Sequence, residues 1–318
     1  MYAYLVRRLL QFGIVLFLGS VAVWALIFAL PGDPATVLAG ADAGPEELAA
    51  ARTRLGLDRT VVQQYASWLG NALTGDLGTS YFSAEPVTST LLDAVPATVQ
   101  LAALAMLLTV LIAVPVGLTV ALSPRSAAGR ALKAYLTAGL AVPAFWLGLL
   151  LIIVFAVRLR ALPAASDHVL VWDDPAATWR NLILPAAAIA VHTSSVTARF
   201  LAASLSEVLG RDFVRTARAK GVPEPEVIRR HALRNAALPT VTVVGIQLGG
   251  FLGGTVVIEA VFNYPGLGRL LYTAIGERDY AVVQGGVLFV IAAFLTLSLL
   301  VDLLYAWLDP RVRLARSQ

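Results

Sequence analysis

Four ionisable side chains stand inside long apolar stretches of this sequence, and they are the first candidates for chemistry: Glu259, Asp302, His192 and Arg199. A charge at the centre of a bilayer costs about 2.5–3.5 kcal/mol on insertion scales, so each such residue requires a reason. We expect Glu259, Asp302 and Arg199 near the ends of their stretches. Glu259 and Asp302 are candidates for a solute pathway, whereas His192 is predicted to be a hydrogen-bonded structural residue.

An enzymatic alternative starts from Ser194 and Ser195, which lie within one helical turn of His192. Adjacent serines so close to a histidine do not form a directed nucleophile–base pair by themselves, and the G-x-S-x-G elbow of serine hydrolases is absent. The sequence has no cysteine, which leaves no thiolate for a metal site or a nucleophile. Neither lysine, Lys133 or Lys220, follows a glycine, so the phosphate-binding G-x-x-x-x-G-K-[ST] motif is missing. We predict no catalytic residue, metal or cofactor in this chain, and any energy from ATP would come from another chain.

The composition places these residues in a membrane protein. Hydrophobic residues make up 58% of the 318 positions, and charged residues only 14%, against about 25% in soluble domains. The mean hydropathy is +0.77. About 20 apolar residues suffice to cross a bilayer. The first apolar stretch is longer than a signal-peptide core and is predicted to be retained. Six transmembrane helices are predicted, at residues 9–30, 96–122, 134–157, 181–203, 239–261 and 281–308.

The distribution of basic residues predicts the orientation. Most of the Lys and Arg residues fall on one side if the N-terminus is cytoplasmic, which gives an N-in, C-in topology. The pattern V-V-Q-Q-Y-A-S-W-L in the long external segment predicts an amphipathic helix on the outer membrane face. That segment would be a lid or spacer, or would contact a delivery protein. The predicted parts are the N-terminal end with the first span (1–30), the extracytoplasmic segment (31–95), a core of five spans (96–308) and a cytoplasmic tail (309–318).

The cytoplasmic loop 204–238 is the most informative part of the sequence. A helix is predicted to end at Gly221, followed by a break at V-P-E-P and a second short helix with Pro225 in its first turn. Two short helices at a sharp angle would form a rigid projection. Its arginines would face anionic lipid head groups, each worth about 1 kcal/mol, or a partner protein. Attachment to six spans argues against nucleic acid.

The spans also carry residues that govern helix packing. Gly245, Gly249 and Gly253 repeat the G-x-x-x-G spacing, which lets another helix approach closely, either a neighbouring span or a second subunit. Prolines bend helices where neighbours or water satisfy the freed carbonyl groups. Such prolines interrupt the second, third and fourth predicted spans at Pro115, Pro143 and Pro185.

The loop segment RDFVRTARAKGVPEPEVIRRHALRNAALP resembles the EAA loop of ABC importer permeases. More narrowly, it resembles the first permease of the dipeptide, oligopeptide and nickel class. Arg215, Thr216 and Ala217 stand at the E-A-A positions, and Gly221 matches the glycine of the pattern. The resemblance covers nearly the whole chain, through ALPGDPA, AVPAFWLGLLL, VIEAVFNYPGLGRLLYTAI and DLLYAWLDPRVRL.

The resemblance implies an all-α, type I ABC importer permease fold in the bacterial plasma (inner) membrane. Its implied partners are a second homologous permease, two ATP-binding subunits that carry ATP and magnesium, and an extracytoplasmic substrate-binding protein. The implied solute is a short peptide, with nickel, haem or glutathione as alternatives; a secondary carrier working alone is a further alternative. The implied ATPase-contact residues are Arg215, Ala217, Lys220, Gly221, Val222, Glu226 and Leu233.

Overall fold

Helices supply nearly all of the regular structure of this chain. The computed structural model describes residues 2–29, 33–40, 42–165, 169 and 171–308. Within those ranges the only β-pairing is an isolated bridge between Thr79 and Pro86. The helix Ala144–Leu151 continues as a π-helix over Ile152–Arg158, and the helix Glu224–Glu226 continues as a π-helix over Val227–Leu233. The α-helices are α1 (Tyr2–Ala29), α2 (Pro34–Ala39), α3 (Pro45–Arg54), α4 (Val61–Leu73), α5 (Val87–Leu122), α6 (Ala127–Ala141), α7 (Ala144–Leu151), α8 (Pro175–Leu209), α9 (Asp212–Ala219), α10 (Glu224–Glu226), α11 (Arg234–Gly254), α12 (Val256–Val261), α13 (Leu267–Glu277) and α14 (Tyr280–Leu308).

One compact unit consists of residues 1–98 and 265–318. In it α1 packs along α14, and α4 packs on α1 through Tyr65, whose hydroxyl lies 2.8 Å from Ser20 Oγ. α4 confirms the helix predicted in the external segment. Its first turn is closed by a capping box, in which the Thr60 side chain accepts from the Gln63 N–H and the Gln63 side chain accepts from the Thr60 N–H.

Asp279 ties the segment before α5 to the start of α14 in the same unit. Its side chain is buried, and Oδ2 accepts hydrogen bonds from Ser80 Oγ at 2.5 Å and from the Tyr81 N–H at 3.2 Å. Oδ1 accepts from the Val282 N–H at 3.3 Å, which caps α14. Burial, with a smaller contribution from the charge of Asp279, raises the pKa of Tyr81 to about 12. The Asp279 carboxylate therefore bonds both to the segment before α5 and to the first turn of α14.

Asp279→Ala should lower the stability of the purified protein clearly. It would leave the Ser80 hydroxyl and the Tyr81 N–H without their acceptor, at about 1–3 kcal/mol for each unsatisfied group. Thermal unfolding in detergent would measure the loss. Asp93→Ala is a matched control, because Asp93 is exposed. Equal unfolding midpoints for the two variants would contradict this role for Asp279.

The second compact unit consists of residues 99–264 and is organised around α8. α8 packs against α6, α7 and α11. Glycines allow the closest approaches: a Cβ built at Gly117 would lie 3.0 Å from the Ala198 carbonyl oxygen, and one at Gly139 would lie 2.1 Å from Ser195 Oγ. Small residues at helix crossings let backbones approach closely in this way.

Four described helices, α1, α5, α8 and α14, are long and apolar enough to cross a membrane. They correspond to the first, second, fourth and sixth predicted spans. The third predicted span is instead a bent pair, since α6 and α7 meet at 106°. Pro143 lacks an N–H and disfavours helix at Val142, which is extended at φ −86° and ψ 122°. Pro115 and Pro185, by contrast, lie inside continuous helices.

The fifth predicted span, 239–261, differs from a single helix. α11 ends at Gly254 and α12 follows after Thr255, and α11 is not among the described helices that pass the length and hydropathy test. Six spans and the N-in, C-in topology therefore stay predictions. The predicted tail, 309–318, and the side chain of Asp302 lie outside the described part of the chain.

Candidate functional site

The turn that follows α9 is built by Gly221. This residue has φ +78°, a conformation that favours glycine. Its N–H donates to the Arg218 carbonyl at 3.0 Å, and the Val222 N–H donates to the Ala217 carbonyl at 3.2 Å. These two bonds form a Schellman motif, which ends a helix and turns the chain sharply. The predicted helix end at Gly221 is confirmed.

The inner side of α9 is a small apolar cluster. Val214 and Val227 are fully buried, Ala217 is nearly so, and Val222 packs against them. Val208 and Leu209, at the end of α8, complete the contact. The cluster joins α9 to the helix before it and to the helix after it, so the turn is a packed element and not a free loop.

One ion pair, between Arg218 and Glu224, closes the outer side of the turn. Arg218 donates from Nε to Glu224 Oε2 at 2.9 Å and from Nη2 to Oε1 at 2.5 Å, a bidentate pair across Gly221. This hydrogen bonding lowers the pKa of Glu224 and raises the pKa of Arg218. The contribution of a carboxylate with a lowered pKa is present above its ordinary pKa and is lost as the pH falls through the lowered one. The pair is therefore intact at neutral pH.

The predicted second short helix is wrong in one respect. α10, the π-helix Val227–Leu233 and α11 follow one another without a break. No helix breaker lies between Val227 and Pro239, and Pro239 itself is inside α11. Within the loop 204–238, α9 alone is a short separate helix. The turn at Gly221 therefore leads directly into the long helix that ends as α11, the segment predicted as the start of the fifth span.

The predicted ATPase-contact residues occupy different depths. Arg215, Lys220 and Gly221 are exposed on the outer side of the turn. Ala217, only 7% exposed, faces the apolar cluster. The remaining three predicted contacts are half-buried: Val222, Glu226 and Leu233.

A polar segment in the middle of α8 makes three side-chain hydrogen bonds to two other helices, α5 and α6. His192 Nδ1 lies 3.1 Å from the Gly139 carbonyl, Ser194 Oγ lies 2.7 Å from the Tyr135 hydroxyl, and Thr193 Oγ1 lies 2.5 Å from Thr109 Oγ1. The predicted hydrogen-bonded His192 is confirmed. Among the described residues His192 pairs with neither neighbouring serine, so the geometry gives no support to a hydrolase.

The residues predicted for helix packing or the pathway differ in their burial. Glu259 in α12 is fully buried, and Thr255 Oγ1 donates to its Oε1 at 2.9 Å. Gly249 is buried and Gly245 half-buried, whereas a Cβ at Gly253 would meet nothing within 4 Å. The predicted close approach at Gly253 therefore has no partner within the described part of this chain.

The sequence did not single out Gly117, Gly139 and Gly148, at each of which an added Cβ would lie 3.0 Å or less from an atom of another element. None of them belongs to a G-x-x-x-G repeat. The one available indication was that each lies in an apolar helix, and glycine in such helices is too common in membrane proteins to be selective.

A chain that is helical over nearly all of its described residues, with several membrane-length helices and a packed turn that joins one of them, α8, to the helix leading into α11, is typical of a transport permease. Comparison with known proteins defines the class further. The chain matches the family described as binding-protein-dependent transport system inner membrane component over residues 113–314, and the N-terminal component of such systems over residues 1–102. The chain belongs to this family, and it is a permease of an ABC importer in the bacterial inner membrane.

Individual relatives agree along the full length. The glutathione transport system permease protein GsiC of Escherichia coli K12 is 39% identical over 310 residues, which cover 98% of both chains. A Brucella abortus protein, provisionally named a peptide transport system permease, is 39% identical over 313 residues, 98% of this chain and 99% of that one. The crystal structure of an amino acid ABC transporter with histidines matches with a TM-score of 0.53 at 16% identity, over 70% of this chain and 94% of that one. That structure supports the fold alone.

Proposed function

We propose that this chain is one of two homologous permease subunits of an importer for short peptides, driven by two ATP-binding subunits and supplied by an extracytoplasmic binding protein. In this proposal the chain crosses the membrane six times with both termini in the cytoplasm, and α6 with α7 forms one bent crossing. The chain itself carries out no catalysis, and ATP and magnesium are held by its partners.

The observation that carries the proposal is the packed turn at Gly221. An ATPase subunit would grip its exposed side, at Arg215, Lys220 and Gly221. In this proposal Ala217 and Val222 seat α9 against its neighbours, and Glu226 and Leu233 lie at the border of the contact. Because the turn is fixed to α8 and continues into α11, movement of the turn would move both helices. ATP binding must favour one arrangement of the helices over the other for this movement to drive transport.

The open glycine face of α11 supports the second permease as a partner. A Cβ at Gly250, Gly253 or Gly254 would meet nothing within 4 Å. Exposed glycines on a membrane helix provide a surface that another helix can approach closely. We assign this face to the second subunit, whereas the buried Glu259 accepts a local hydrogen bond from Thr255 in the first turn of α12.

A short peptide is the solute that the relatives support. One relative is named for peptides and another for glutathione, which is itself a tripeptide. The two names therefore describe one chemical class, a small zwitterion with a free carboxylate and a free ammonium group.

Reconstitution tests the proposal. Lipid vesicles containing this chain, a second permease and two ATPase subunits should take up labelled dipeptide or glutathione when ATP and the binding protein are supplied. Vesicles with this chain alone should take up none. Uptake driven by an ion gradient in the isolated chain would contradict the proposal and favour a secondary carrier.

A further inference from the structure

The open face in the middle of α8 contains two nitrogen-bearing side chains, His192 and Arg199, and both are exposed. Seven residues of α-helix turn about 700°, which is 20° short of two full turns, so the two positions share one face. Between them Val196 is half-buried. On the same face nearer the start of α8, Pro185 and Ala188 are buried. This face of α8 is therefore buried at Pro185 and Ala188 and becomes exposed at His192.

Lipid is a poor neighbour for this face. A charged side chain on a membrane helix is stable when it faces a water-filled cavity or another polar group, and it is costly against hydrocarbon. Arg199 forms no ion pair among the described residues, and the ion pairs of the nearby segment belong to other arginines, such as Arg211 with Glu207. The guanidinium group is thus available to an anion that this chain does not supply.

The hydrogen bond of His192 determines which ring nitrogen is available. The Gly139 carbonyl can only accept, so Nδ1, at 3.1 Å, must carry the hydrogen and donate it. In the neutral imidazole Nε2 is then the acceptor. An acceptor at His192 and a cation at Arg199 would complement a molecule with an N–H donor at one end and a carboxylate at the other.

The spacing matches a short peptide. Seven residues of α-helix rise about 10.5 Å, and an extended chain spans about 3.3–3.6 Å per residue. Two or three peptide residues therefore cover the distance between the two side chains, given the reach of arginine.

We propose that the α8 face from His192 to Arg199 is a recognition site on the translocation pathway for di- and tripeptides with free termini, a proposal that rests on the proposed function. Arg199 binds the terminal carboxylate, and His192 Nε2 accepts a hydrogen bond from the terminal ammonium group. The site selects solute after the binding protein has released it.

The test compares Arg199→Gln with the parent in the reconstituted complex, with labelled tri-alanine and its C-terminal amide at saturating binding protein. The readout is uptake per ATP hydrolysed. The same binding protein delivers both peptides to both complexes, so its own preference cancels. Loss of a charge-assisted contact should reduce the preference for the free acid by about tenfold or more. Arg199→Lys should retain part of the preference.

Two further variants sharpen the result. Arg180→Gln is the matched control, since Arg180 is also exposed on α8 but lies about 100° around the helix from Arg199. It should behave as the parent. His192→Asn places an amide N–H where Nδ1 stands and so retains the bond to Gly139, but it removes Nε2. It should reduce the preference for tri-alanine over its N-acetyl form and leave the carboxylate preference unchanged.

The outcomes separate the two proposals. If the parent complex shows no ATP-driven uptake, the proposed function fails. If the parent transports but Arg199→Gln keeps the full preference for the free acid, this site is wrong. An unchanged preference together with loss of the second permease in a pull-down would assign Arg199 to the subunit interface. An unchanged preference with activity that depends on anionic lipid would assign it to a phospholipid phosphate, and both results overturn the site.

Discussion

Gly221→Pro should reduce ATP-driven uptake by tenfold or more while the chain still inserts in the membrane. Proline fixes φ near −65°, whereas Gly221 has φ +78°. It also removes the N–H that donates to the Arg218 carbonyl. A misplaced proline costs about 3 kcal/mol or more, which is enough to undo the turn without disturbing distant helices. Uptake and ATP hydrolysis, measured in the same vesicles, should become uncoupled.

Gly221→Asn is the matched control for this variant. Asparagine adopts the left-handed conformation more readily than other non-glycine residues and retains the backbone N–H. It should keep most of the uptake, with Gly221→Ala intermediate. Normal uptake in Gly221→Pro would show that the turn does not transmit force.

Gly139→Ala should strongly destabilise the compact unit 99–264, although it adds only one methyl group. The new Cβ would lie 2.1 Å from Ser195 Oγ and 3.0 Å from the Val191 carbonyl oxygen. The latter atom belongs to the backbone of α8 and cannot rotate away. Overpacking of this kind costs about 1–3 kcal/mol, and the bond from His192 to the Gly139 carbonyl would be displaced as well. Thermal unfolding in detergent would measure the loss.

The matching control is Gly253→Ala. A Cβ at Gly253 meets nothing within 4 Å, and alanine favours helix over glycine by about 1 kcal/mol. The isolated chain should therefore be as stable as the parent or slightly more so. In Gly139→Ala, adding Ser195→Gly removes the clashing side chain and should restore part of the stability. An unfolding midpoint for Gly139→Ala equal to that of the parent would contradict the close packing of α6 on α8.

The sequence predicted features that depend on local chemistry. The helix end at Gly221 follows from the rarity of positive φ in other residues, and the helix α4 from its apolar spacing. The length of the second loop helix was wrong because the loop (204–238) and the fifth span (239–261) were predicted as separate elements. Inside a membrane helix the group that a proline leaves unbonded can be satisfied by neighbours, so the helix continues through Pro239.

Features that depend on which helices meet could not be predicted in this way. The G-x-x-x-G spacing pointed to Gly245, Gly249 and Gly253, yet the closest approach of α6 to α8 is at Gly139, because only the fold brings these two helices together. Likewise, His192 and Arg199 were interpreted one at a time, and Arg199 was predicted to lie near the end of its span. Their common open face became visible only when the residues between them, Thr193 to Ser195 with Thr197 and Ala198, were seen to be buried.

The helix that runs on from the Gly221 turn has a mechanical consequence. From Glu224 to Gly254 it is continuously helical, although its winding changes from α to π at Val227 and back to α at Arg234, and it contains Pro239. Thirty-one residues at 1.5 Å each make a helix about 45 Å long. A tilt of about 5° at one end of such a helix displaces the other end by about 4 Å, comparable to the width of a peptide backbone. Under the proposed function, an ATPase subunit that shifts the turn only slightly would displace the far end of this helix by leverage alone.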